Sequence, residues 1–159
     1  MKKLIFAGII VVLALSQATA AYYVHIFNIR PDLILICAVI AALFYRPRWA
    51  LSLSVFAGLL KDIFSVAPFG MNAVLFFLWS FLIIKLSRVI SLDNSYVRLV
   101  LIFIVAISDS IASMLILLLS GNFISWGVFF RIAVVGSLYT TLFFPLVLKL
   151  AIKSSVIES

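Results

Sequence analysis

Polar residues punctuate this chain at short intervals, and between them lie unbroken apolar runs, not the alternating polarity of half-buried or barrel strands. The runs predict six helices, over residues 4–24, 32–45, 49–64, 71–88, 97–119 and 126–148. Pro31 suits the first turn of the second helix, and the Arg46-Pro47-Arg48 turn separates it from the third. Pro68-Phe69-Gly70 turns the chain into the fourth, the polar stretch 91–95 with Asp93 and Asn94 precedes the fifth, and Ser120-Gly121-Asn122 closes it. There is neither an internal repeat nor a low-complexity tract.

Composition identifies the solvent. Of 159 residues, 67% are hydrophobic and 11% charged, and mean hydropathy is +1.37. One buried core cannot hide such an excess, so the expectation is an all-α integral membrane protein, a compact bundle of about six transmembrane helices forming one domain over residues 1–159. The purely apolar parts of the second and third runs, roughly 12 to 14 residues, cover only ~18–21 Å of a ~30 Å hydrocarbon core. Either these segments are re-entrant, or their helices continue through the flanking charges, shielded by neighbours. The second is preferred, and it sets Asp32 and Asp62 near one face of the membrane. Lys2, Lys3, a short apolar run and Ala18-x-Ala20 also fit a secretory signal peptide. Continued apolar character through Tyr22, Tyr23 and Val24 favours an uncleaved first helix.

The formal net charge of +7 does not point to nucleic acid, because Lys and Arg gather at the ends of the runs, where they report orientation and headgroup contact. With six crossings, Lys2, Lys3, Arg46, Arg48, Lys85, Arg88, Arg98, Lys149 and Lys153 share the side of the N-terminus, opposite Arg30, Lys61 and Arg131. That asymmetry predicts two cytoplasmic termini. The lone Cys37 is a small apolar residue without a disulfide partner, and His25 sits with Tyr22 and Tyr23 at an interface. No zinc or thiol constellation, no glycine-rich phosphate loop and no cofactor is indicated.

Ionisable groups inside apolar runs carry the chemistry, since each costs about 2.5–3.5 kcal/mol at mid-bilayer on insertion scales. Asp109 lies near the centre of the fifth run, on a face shared with Ala112, Ser113, Ile116 and Ser120. It reads either as a packing residue bonded to Gly136, Ser137, Thr140 or Thr141 of the sixth helix, or as a ligand or ion site, with Arg131 a candidate counter-charge. Arg30-Pro31-Asp32 and the stretch Gly58-Leu59-Leu60-Lys61-Asp62 form a second constellation. Their adjacent charges either neutralise one another at the headgroup boundary or line a pocket open to the outer face. Gly58 would let a neighbouring helix approach, as would Ala14-x-x-x-Ala18 and Ala38-x-x-x-Ala42.

Residues 31–78, with Pro31-Asp32-Leu33, Gly58-Leu59-Leu60-Lys61-Asp62 and Pro68-Phe69-Gly70-Met71-Asn72-Ala73 in that order, resemble the family of the rod shape-determining protein MreD. Phe69 stands where the family usually has Leu, and Lys61 where it usually has an apolar residue. The resemblance implies a non-enzymatic scaffold in the inner (cytoplasmic) membrane of rod-shaped bacteria. It would work with MreC, and indirectly with MreB and the RodA and penicillin-binding synthases of peptidoglycan. It also implies a fold like that of the substrate-binding subunits of energy-coupling-factor transporters. Asp32, Gly58, Asp62 and Gly70 match the family's motifs and become candidates for a pocket or partner contact, and Asp109 joins them from the residue reading alone.

Two other functions compete. A substrate-binding subunit of a vitamin transporter would need a roomy cavity lined by polar groups. An intramembrane aspartyl protease, such as the lipoprotein signal peptidase, would need two carboxyls sharing one proton, and neither Asp62 nor Asp109 lies in that enzyme's motifs.

Overall fold

A computed structural model describes residues 2–20, 31–65, 68–90, 94–121 and 126–153. They form six helices and, among the described residues, no strand: α1 (Lys2–Ala20), α2 (Leu33–Phe44), α3 (Pro47–Ile63), α4 (Met71–Leu86), α5 (Ser95–Leu119) and α6 (Trp126–Lys153). Residues 21–24 of the expected first helix, His25, Arg30 and Asp93 lie outside the described residues.

Local chemistry accounts for most of the helix ends. Asp32 stands just outside α2, and its Oδ1 accepts from Leu35 N at 3.0 Å, satisfying one of the donors that a helix start leaves over. α2 ends at Tyr45, which is extended, and Arg46 is extended too (φ −59°, ψ 144°), as the residue before a proline prefers. Pro47 then opens α3 at its first turn, where a missing N–H costs nothing. Gly70 adopts the left-handed φ of +92° ahead of α4, and Asn94 caps α5 by accepting from Tyr96 N at 3.0 Å. α3 continues through Lys61 and Asp62 to Ile63, and α6 runs past Leu148 and Lys149 to Lys153, because lysine is a good helix former and does not stop a helix.

The shortest of these helices is the centre of the molecule. α2 packs against every other helix, and Ile34 through Ala42 are buried on all sides. A helix apolar all round belongs inside, so its twelve residues have no outer face to present. α3 and α4 run beside it as an antiparallel pair, and small residues bring the three close. Buried Ser54 bonds back to Ala50 O at 2.8 Å and accepts from Ser80 Oγ on α4. Such pairs are worth on the order of 1 kcal/mol each, and leaving either hydroxyl unpartnered there would cost more.

The outside is also apolar. Val12, Val74, Phe81, Val100, Ile104, Leu142 and Leu146 are exposed, a pattern that runs along α1, α4, α5 and α6. Among the described residues, two helical stretches are by length and composition long and apolar enough to cross a membrane, Ser95–Leu119 and Phe129–Lys153.

Candidate functional site

The last turn of α3 places two neighbouring charges in different surroundings. Consecutive helical residues point about 100° apart, and here Lys61 and Asp62 meet different partners.

Asp62 faces the start of α4. Its Oδ2 accepts from Gly70 N at 3.0 Å and Ala73 N at 3.2 Å, and its Oδ1 from Asn72 N at 3.0 Å and Asn72 Nδ2 at 2.8 Å. A helix's first N–H groups need acceptors, and the residue just before it usually supplies one. Gly70 has no side chain to offer, so a carboxylate from the preceding helix takes that part, where the helix dipole also favours negative charge. One turn back, a Cβ added at Gly58 would collide with the Ala73 backbone, including its N at 2.6 Å, and with Asn72 O at 2.6 Å. Gly58, Asp62 and Gly70 thus make one tight joint between α3 and α4.

Lys61 faces the other way, into a cluster with Asp32 and Asp109. Its Nζ donates to Asp32 Oδ2 and, at 3.3 Å, to Asp109 Oδ2, and it lies 4.7 Å from the centre of the Phe76 ring, within cation–π range. Trp79 Nε1 donates to Asp109 Oδ1 at 3.0 Å. Asp32 N donates to Thr140 Oγ1 at 3.0 Å, and Thr140 in turn donates to Gly136 O of its own helix. The cluster therefore joins the start of α2, the end of α3 and the middles of α4, α5 and α6. Each charge has an opposite charge and further hydrogen bonds, the condition for keeping ions out of water.

These three charges stand on the wall of a cavity of about 460 Å³, whose other polar walls include Ser65, Asn72, Ser110, Ser113, Ser137 and Thr140. Beyond Trp79 lies a second, apolar cavity of about 530 Å³ between α4 and α5, lined by Leu82, Ile83, Leu86, Val100 and Ile104 among others. Trp79 is on the wall of the apolar cavity and reaches the polar one through its hydrogen bond to Asp109.

The candidates from the sequence thus divide. Asp32 and Asp109 come together at the cavity, while Gly58, Asp62 and Gly70 meet at the joint. Two expectations need correcting. The counter-charge of Lys61 is the distant pair Asp32 and Asp109, not adjacent Asp62. The described partners of Asp109 are Lys61 and Trp79, whereas the expected hydroxyls of α6 bond elsewhere: Ser137 to Ala133 O, Thr141 to Ser137 O, and Thr140 to Gly136 O and Asp32 N. Lys61 as a bridge, Trp79 and Asn72 are the functional residues that sequence reasoning missed. The available signal was electrostatic, since two acids in apolar runs call for a cation, and a buried indole N–H calls for an acceptor.

Fold and site together define the class: an all-helical bundle, apolar inside and out, that holds one three-charge cluster at the wall of an interhelical cavity. Comparison of the whole chain then places it in a family. Residues 2–153 match the rod shape-determining protein MreD, and the chain belongs to that family, with a role in determining rod shape. The resemblance first visible in residues 31–78 therefore extends over nearly all of the chain. Comparison with curated proteins and with solved structures gave no match.

Proposed function

We propose that the protein is a non-enzymatic, multi-pass scaffold in the inner membrane of a rod-shaped bacterium. It holds MreC there and links the MreB filament with the peptidoglycan synthases of elongation. The family match carries this reading. The apolar exterior supports embedding in lipid, because a water-exposed surface of Val, Leu and Phe on this scale is rare. On this reading all six helices lie within the membrane, both termini are cytoplasmic, and short α2 and α3 are shielded by the helices around them. The cavity supports the kinship with the substrate-binding subunits of energy-coupling-factor transporters.

The chemistry of the acids favours a scaffold over a protease. Two aspartyl carboxyls that activate water share a proton, whereas the ammonium of Lys61 stands between Asp32 and Asp109 and pairs with each. Deleting the gene in a rod-shaped host with no second copy is expected to give rounded cells, restored to rods by the intact chain. Rods that persist after deletion would refute the reading.

A further inference from the structure

On its described wall the polar cavity carries one acid more than base. Among the described residues the charged ones on that wall are Asp32, Lys61 and Asp109, so two carboxylates face one ammonium and this cluster, fully ionised, has a net charge of −1. Each carboxylate also has unused acceptor sites. An ionised carboxylate offers about four, and the described contacts fill one on each oxygen: Leu35 N and Lys61 at Asp32, Trp79 and Lys61 at Asp109. The space in front of them is not water-sized. At about 460 Å³ it lies within the range of small-molecule sites, and away from the charges it is walled by Leu35, Met71, Met114, Leu117 and Ile132. A ligand complementary to these walls has one cationic, hydrogen-bond-donating end and an apolar body.

We propose that this cavity binds an amphipathic amine, whose ammonium donates to Asp32 and Asp109 beside Lys61 and whose apolar part lies along Leu35, Met114 and Ile132. A divalent metal ion would bring two charges where one is lacking, and would meet the Lys61 ammonium where it needed oxygen ligands. Two sources supply the same chemistry, the ethanolamine headgroup of a membrane lipid and a free small amine. The inference deepens the membrane-scaffold reading by giving its cavity a ligand class, and it rests on that reading for access to lipid.

The test uses the full chain purified in detergent, with Trp49→Phe and Trp126→Phe leaving Trp79 as the fluorescent reporter. Hexylamine should shift the Trp79 emission and raise the melting temperature, saturably, while hexanol and sodium chloride at equal concentration do neither. Asp109→Asn should weaken hexylamine at least tenfold. Ser113→Leu, which fills the cavity and keeps every charge, should do the same, so a folding defect in the first variant does not decide the matter. Equal responses to hexylamine and hexanol, or undiminished binding in Ser113→Leu, would overturn the proposal. In nanodiscs, weaker apparent hexylamine binding in phosphatidylethanolamine than in phosphatidylcholine, equally zwitterionic but without an N–H donor, identifies the lipid as the source, and equal binding identifies a free amine; both uphold the site. Amine binding and membrane partitioning are read separately, so a chain recovered in the aqueous fraction that still binds hexylamine would sink the membrane reading alone.

Discussion

Lys61 and Asp62 are one peptide bond apart, yet they anchor two regions built on opposite principles. Around Asp62 a single carboxylate is saturated by four N–H donors from one short segment, next to a glycine that admits no Cβ. Around Lys61 three charges from three helices meet at a cavity wall and keep acceptor capacity in hand. In the first region the Asp62 carboxylate is saturated and has nothing left to offer a ligand. The second is satisfied but open, the combination expected of a site that binds something.

Substitutions that break each region should therefore fail differently. The largest effect is expected from Asp62→Ala, which leaves the first N–H groups of α4 without their acceptor at a buried joint. Orphaned donors at about 1–3 kcal/mol each give a loss of about 5 kcal/mol or more. Denaturation in detergent should show it, together with low abundance in the cell. Stability near that of the parent would mean that the joint is dispensable.

Lys61→Met comes next, because it strands two carboxylates. Breaking a buried pair costs about 3–5 kcal/mol, and the partial exposure of Lys61 sets the expectation at the lower end, about 3 kcal/mol. This defect should be partly relieved by a second change, Asp109→Asn, that removes one stranded charge, whereas Asp109→Asn should do nothing for Asp62→Ala. A double-mutant cycle with a coupling energy near zero would show that the three charges are independent.

Gly58→Ala should cost about 1–3 kcal/mol, since the added methyl forces α3 and the start of α4 apart. It belongs to the Asp62 joint, so its effect should be less than additive with Asp62→Ala. The smallest effect is expected from Trp79→Phe, which keeps an aromatic side chain but removes the donor to Asp109, at about 1–2 kcal/mol in thermal denaturation. A cost well above that of Gly58→Ala would mean that the packing of the indole, not the hydrogen bond, is what Trp79 chiefly supplies.

Legibility in the sequence followed the range of the interaction. The α2–α3 turn was readable because Arg46-Pro47 restricts its own backbone, and the turn into α4 because Gly70 takes a positive φ that side chains resist. Asp32 stood out in the sequence as an unusual acid, but its part in capping α2 and holding Lys61 was not visible. Asp62 read either as a boundary charge or as part of a pocket, since its role depends on a helix start eight residues further on. The central place of α2 was equally hidden: a helix facing lipid and a helix facing protein are both apolar all round, and only the packing tells them apart.

What the sequence determined alone was everything decided by composition and by neighbours a few residues apart: six apolar helices, their turns, and the rarity of charge among them. What the tertiary structure decided was the pairing, that Lys61 bridges Asp32 and Asp109 while Asp62 turns away to cap α4. The reason is physical. A backbone preference is set by the residue and its immediate neighbours, whereas a buried charge is satisfied by whichever opposite charge or dipole the packing of distant helices brings within about 3 Å, and sequence distance carries no information about that meeting.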